Sequence, residues 1–375
     1  MRYRQFGRLE WQVSVLALGV PFSNSPADPG LVEDVVCTAI NRGVNFLVVG
    51  YPYDESKRSF YEALVRAFQN GCRTKVRVAA ALPSLLVSSA ADLDRYLDEQ
   101  LKALRLDRVD FCLLDGLNRH TWPRMEALGV LDWIEKAKAA RRFDHVGFAF
   151  HDHFQVLRDI VEAHPEWSFC LFQYSFMDVD HHPGTNGVKY AAQKGLAVIT
   201  SKPLRDGRLT RRLPGPVAEL WARAGAEDRI LEWGLSWVWD HPEVSSVIGD
   251  ITTREELDRH LAAAGEAEPG RLGVDKLLVM SQIRDIYRKL RPIQCPACRG
   301  CMPCPEDIEV PRIFELYNDA IIYDDAETAQ YLYRIERHAL ERCTECGQCA
   351  QACPRHIPIP RWLEKARAVL AREGL

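Results

Sequence analysis

Eight of the chain's twelve cysteines fall between residues 295 and 353, in two groups. The first is Cys295, Cys298, Cys301 and Cys304, followed by Pro305; the second is Cys343, Cys346, Cys349 and Cys353, followed by Pro354. The second group reads C-x-x-C-x-x-C-x-x-x-C-P, the run that serves paired cubane iron–sulfur clusters. The first is the same run shortened by one residue before its last cysteine. Three closely spaced thiolates on a tight turn can reach three irons of one cubane, whereas the fourth, beyond the turn, points to the other cluster. The spacing therefore assigns one 4Fe–4S cluster to Cys295, Cys298, Cys301 and Cys353, and the other to Cys343, Cys346, Cys349 and Cys304. Structural zinc is the alternative, since zinc also accepts four thiolates, although its sites usually take two separated C-x-x-C pairs. Disulfides fit less well, because nothing in the chain looks secreted. Cys37, Cys72, Cys112 and Cys170 are scattered, and Cys112 and Cys170 sit in strand-like apolar runs that read as core.

The rest of the chain has to carry this tail. Its 375 residues are 47% hydrophobic, enough for one large domain and a small one. A net charge of −4, with both signs intermixed and no basic stretch interleaved with aromatics, gives no support to nucleic-acid binding. Met1–Phe6 lacks the apolar core of a secretion signal, and no apolar run approaches the roughly 18 residues of a membrane span. The expected location is the cytoplasm, without membrane insertion, where reduced thiols and clusters persist.

Apolar strand-like runs recur up to residue 250: Val15–Val20, Asn45–Val49, Val76–Leu82, Val109–Leu114, His145–Phe150, Phe169–Tyr174, Ala197–Thr200 and Val244–Ile248. Amphipathic stretches lie between them, among them Leu31–Arg42, Ser59–Gln69, Asp92–Leu104, Met125–Ala140 and Val156–Ala163. Eight continuous apolar strands alternating with helices predict a closed parallel (β/α)8 TIM barrel, over a doubly wound open sheet. Tyr3–Phe6 is expected in a hairpin at the barrel's bottom, and Thr253–Glu256 reads as a capping box. The barrel is placed at residues 1–265 and a small α-helical iron–sulfur domain at 275–375. Asp275–Leu290, Pro311–Ile322, Ala326–Arg342 and Pro360–Ala371 are its expected helices.

Taken together, these segments resemble the aldo/keto reductase family, in the branch that carries a C-terminal ferredoxin-like domain. The resemblance rests on Tyr3–Gly7 with Val13–Gly19, Arg42–Phe46, Val109–Leu114, Gly147–Asp152, His241–Ile248 and Pro311–Asn318, in that order. It implies NADP(H)-dependent carbonyl chemistry at the C-terminal ends of the strands, carried by an Asp, a Tyr, a Lys and a His. Aligned residue by residue, only the tyrosine is kept, as Tyr53. The Asp position is Val48, the Lys position Ala81 and the His position Asp115. A phenol without a neighbouring ammonium keeps a pKa of about 10. A lost general acid typically costs on the order of 10²–10⁴-fold in rate. Tyr53 and Asp115 remain as the candidate catalytic pair.

The resemblance also implies a nicotinamide site in which Gln173 is kept but the family's Ser is Ala149. Its pyrophosphate loop would be Lys202, Leu204, Arg205 and Gly207, with Thr252, Thr253 and Arg254 at a phosphate-binding helix start; a plain N-cap explains the threonines equally well. Arg259 and His260 replace its adenosine-end Glu and Asn. At the mouth, the two histidines of His151-Asp152-His153, with Asp115 and His120, could form a mononuclear metal set, as could the His181–His182 pair, against the commoner reading of solvated loop histidines.

The leading expectation is an iron–sulfur oxidoreductase passing electrons through two 4Fe–4S clusters to a small-molecule substrate or second cofactor at the barrel mouth, with a ferredoxin or flavoprotein as electron partner. The alternatives are a catalytically degenerate electron carrier or scaffold subunit, and an NADPH-dependent carbonyl reductase using Tyr53 with Asp115.

Overall fold

The computed structural model describes residues 1–20, 29–52, 58–249, 251, 253–336 and 338–371. The eight apolar runs close into one parallel barrel: β3 (Leu16–Val20), β4 (Phe46–Val49), β5 (Arg77–Pro83), β6 (Val109–Leu117), β7 (Phe143–Phe150), β8 (Phe169–Gln173), β9 (Ala197–Ser201) and β10 (Val244–Ile248). β10 closes it against β3 through the register pairs Val247–Leu16 and Ile248–Ala17. β1 (Tyr3–Gln5) and β2 (Gln12–Ser14) form an antiparallel hairpin, Tyr3 opposite Ser14.

Side-chain size fixes how the interior fills. Phe46, Phe111 and Phe169 come from alternate strands β4, β6 and β8, which is how barrel layers are built. Their rings meet edge to face with centroids 5.5, 5.9 and 5.5 Å apart. Phe6, carried in by the hairpin, sits on all three at 5.4, 5.1 and 5.8 Å. The strands between contribute small residues, Ala79, Ala149 and Ala197 among them. Gly147 shows why: a Cβ there would lie 2.3 Å from the ring of Phe169, so β7 can pass this layer only as glycine.

Three helices depart from the sequence expectation, each for a local reason. Met125–Ala140 is not one helix but part of two, Thr121–Ala127 and Val130–Ala139. Gly129 between them has a φ of 75°, a left-handed conformation that no continuous helix passes through. Ser59–Gln69 ends as an α-helix at Ala67 and gives way to a turn at Phe68–Cys72, with Gly71 at φ 87°. Ala326–Arg342 stops at Ile335, because the Leu340 amide turns back to donate to the Tyr333 hydroxyl at 2.8 Å. The capping box at Thr253 is present, with reciprocal bonds between Thr253 and Glu256 of 3.1 and 3.2 Å.

The chain forms two compact units, Met1–Gly207 with Asp228–Leu278, and Arg208–Glu227 with Val279–Leu375. Arg208–Glu227 lies within the stretch read from sequence as barrel. Its ion pairs account for its place in the second unit: Arg208 reaches Asp325 at 2.7 Å and Asp319 at 3.4 Å, and Arg212 reaches Asp324 at 2.7 Å. The helices Val310–Ile322, Ala326–Ile335 and Ile359–Leu370 build that unit's core from Ile313, Phe314, Leu316, Tyr333, Leu363 and Leu370. Among the described residues, no helix is long and apolar enough to cross a membrane.

Phe6 fills the aromatic layer from outside the barrel strands, so Phe6→Ala leaves a void that no strand can close. We expect it to destabilise the barrel by about 3–5 kcal/mol, read by urea unfolding. A loss under about 1 kcal/mol would mean that the hairpin does not plug the barrel.

Candidate functional site

Both cysteine groups lie on loops that the second unit's helices hold down. Ile293, just before the first group, is pinned on both sides by Asn318: its amide donates to Oδ1 at 2.9 Å and its carbonyl accepts from Nδ2 at 2.9 Å. Arg299 and Glu309 brace the loop further on with a bidentate pair at 2.7 and 2.8 Å. The second group turns through Gly347 at φ 74° into the short helix Gln348–Gln351. The two loops approach closely at Gly300, where a Cβ would lie 3.3 Å from Pro354 and 3.4 Å from the Ala352 carbonyl.

Two cavities result. One, of about 130 Å³, is lined by Cys301, Cys304, Cys343, Cys346 and Cys349. The other, of about 10 Å³, is lined by Cys295, Cys298, Cys301 and Cys353. Cys304 therefore stands with the second group and Cys353 with the first, the exchange that the proline-marked spacing implies, and Cys301 faces both cavities. Burial, aided by the neighbouring sulfurs, pushes the Cys295 and Cys349 thiols up, and Cys301 up to about 11. A buried thiol of this kind keeps its proton until a binding metal displaces it to solvent. Sulfur is the commonest donor: five thiols line the larger cavity, where Glu306 and Glu345 are the carboxylates, and four line the smaller, with no imidazole at either. This suits 4Fe–4S clusters.

The barrel mouth is different. Val48, Ala81 and Ala149, which stand where the family pattern has Asp, Lys and Ser, are buried in the apolar interior. Asp115 lies near the end of β6, where its carbonyl accepts from the Ser84 amide at 3.1 Å. Tyr53 and Thr252 lie outside the described residues.

The cofactor-side residues are engaged with other side chains. Gln173 donates to Asp178 at 3.2 Å, and Arg205 forms a buried ion pair with the same carboxylate. Burial opposes the charge on Asp178, but Arg205 overrides it and holds the carboxyl below its usual range. Lys202 pairs with Asp206 at 2.9 Å. Leu204 is buried against Gly234, and Gly207 takes a φ of 79°. Arg254 spends its Nη1 on Asp34 and Thr38, both at 2.8 Å. Arg259 binds Glu232, and the buried His260 ring contacts the Glu256 carbonyl at 2.7 Å. Sequence reasoning missed Asp178, the residue on which Gln173 and Arg205 converge. A single Asp beyond a strand end carries no signal of burial.

The loop histidines meet in part. Ligand atoms of Asp152, His153 and His182 lie within 4.8 Å of one another. Asp152, however, already accepts four hydrogen bonds. Arg119 supplies its amide at 2.9 Å, Nε at 2.8 Å and Nη2, and the His153 amide adds a fourth at 2.7 Å. Those fill the acceptor capacity of a carboxylate, so Asp152 serves an ion pair and not a metal. Among the described residues, neither Asp115 nor His120 joins such a group.

Comparison with known proteins finds two family matches along the chain. A model of the aldo/keto reductase family matches residues 18–268, and one of a 4Fe-4S dicluster domain matches 294–357. An L-galactose dehydrogenase from Arabidopsis thaliana is 24% identical over 229 residues, which is 56% of this chain and 68% of that protein. A fumarate reductase (CoM/CoB) subunit from Methanothermobacter marburgensis is 28% identical over 149 residues, 36% of this chain but only 28% of that protein. Among solved structures, an aldo-keto reductase from Bacillus halodurans in its holo form superposes with a TM-score of 0.62 at 18% identity, over 76% of this chain and 96% of that one.

Crossed ligation makes an unusual demand on Cys353→Ala. Iron should fall from about eight to about four per chain, and the cluster lost should be the one assigned to Cys295, Cys298 and Cys301. Selective loss of the cluster assigned to Cys343, Cys346 and Cys349, read by electron paramagnetic resonance, would contradict the crossing.

Proposed function

The chain belongs to the aldo/keto reductase family, and from that premise we propose that it is an iron–sulfur oxidoreductase that works by single electrons instead of by the family's hydride transfer. The observation that carries the reading is the pairing of two features. The family's charged positions at Val48 and Ala81 are part of the barrel's apolar interior, while eight cysteines line two cavities and share Cys301 between them. Two 4Fe–4S clusters, when bound, supply one-electron chemistry at low potential, near about −400 mV in plant-type ferredoxins.

The chain's own residues divide the remaining work. Cys295, Cys298, Cys301 and Cys353 would hold one cluster, and Cys304, Cys343, Cys346 and Cys349 the other. Cys298 and Cys346 are exposed, so each set has one sulfur at the surface where an electron partner, a ferredoxin or a flavoprotein, can approach. At the mouth, a small-molecule substrate or a second cofactor would meet Asp115 and Tyr53 as the remaining proton-bearing groups. Lys202, Arg205 and Arg254 would have to leave Asp206, Asp178 and Asp34 to hold a dinucleotide phosphate. For the buried Arg205 that means leaving Asp178 without its charge partner, a cost of about 3–5 kcal/mol. NADP(H) binding is therefore expected to be weak.

A second reading, a barrel that serves as an electron carrier or scaffold subunit without turning over a substrate, is favoured by the same apolar closure at Val48, Ala81 and Ala149. Turnover driven by a low-potential reductant separates the two.

The test sets reductants against each other on the anaerobic protein. Small carbonyl compounds supplied with NADPH should give no turnover, and fluorescence titration should show weak NADPH binding. Reduced methyl viologen should support turnover of the true substrate, and Cys346→Ala should abolish it. Aldehyde reduction with NADPH at about 1–10³ s⁻¹ would overturn the reading.

A further inference from the structure

Away from both cluster loops, the barrel unit brings together two cysteines that its other chemistry does not use. Cys37 lies on the helix Pro29–Asn41, and Cys72 ends the turn Phe68–Cys72. Their sulfurs are 2.9 Å apart, so they need close by only about 0.9 Å to reach the roughly 2.05 Å of a disulfide bond.

The approach is held from both sides. Glu33, Cys37 and Asn41 recur every four residues and so share one face of the helix. Glu33 accepts from Arg66 at 2.7 Å and from Asn70 at 2.9 Å, and Asn41 accepts from Lys75 at 2.8 Å. The pair sits between these anchors. Gly71, at φ 87°, turns the chain so that Cys72 faces the helix. Cys112 and Cys170 are different: both are fully buried in barrel strands.

We propose that Cys37 and Cys72 are a redox-active dithiol that hydrogen peroxide converts to an intramolecular disulfide. Cys37, the half-buried member, attacks the peroxide; the O–O bond breaks, water leaves and a sulfenic acid forms on Cys37. The buried Cys72 then attacks that sulfur. The S–S bond forms, the S–O bond breaks, and the hydroxyl departs as water with the Cys72 proton. Two thiols give up two electrons and two hydrogens, and one peroxide is reduced to two waters. Burial and the contact with Cys72 push the Cys37 thiol up to about 12, so little thiolate is present at neutral pH and the reaction is slow without excess oxidant.

The experiment uses the full chain, purified anaerobically, exposed to hydrogen peroxide, alkylated in denaturant and digested without reductant. Mass spectrometry should find a peptide joining Cys37 to Cys72, lighter by two hydrogens than its parts and lost on treatment with dithiothreitol. In Cys72→Ser, the Cys37 sulfenic acid should persist and be trapped by dimedone. The inference is overturned if, once cluster absorbance has bleached, both thiols are still fully alkylated, or if Cys37 runs to sulfinic acid while Cys72 stays alkylated.

Discussion

The constraint on which the second unit depends is that two loops from different parts of the chain meet closely enough for each to bring a cysteine to the other's group. Cys353 sits with the first group and Cys304 with the second. The loops can approach because Gly300 has no side chain where Pro354 and Ala352 lie. They stay in place because Asn318 and Glu309, at or beside the helix Val310–Ile322, grip the first loop. A core of sixteen buried residues supports this arrangement, with five of the cysteines packed against it from the partly buried side. Partly buried thiols add little by themselves. A metal held by thiols from both loops would link them, and its binding would then add to the unit's stability.

The barrel obeys a different constraint, that of filling a closed cylinder. Phe6, Phe46, Phe111 and Phe169 fill one level, and small residues on the strands between make room for them. Val48 and Ala81 continue this apolar filling towards the strand ends, where the family has charge. Introducing Asp or Lys there would bury charge among apolar neighbours, which is costly without a partner. The absence of the family's charged residues at these positions and the packing of this barrel are therefore coupled.

Much of this was legible in the sequence because it rests on local periodicity. The eight strands announce themselves as continuous apolar runs, and the two cysteine groups as spacing. What was not legible depends on long-range partners or on single backbone angles. The break at Gly129 turns on one positive φ. The segment Arg208–Glu227 joins the second unit through carboxylates more than a hundred residues away. Arg205 reads as a phosphate ligand until Asp178 is seen beside it. In each case the residue type was informative and its partner was not.

Because Cys301 faces both cavities, two clusters held there would lie close enough to sense each other's spin. Electron paramagnetic resonance of the anaerobic protein, fully reduced with dithionite, tests this most directly. The account predicts about two spins per chain, with a spectrum broadened by coupling between them that sharpens on partial reduction. A single isolated signal, two signals without coupling, or a silent protein holding zinc would contradict it.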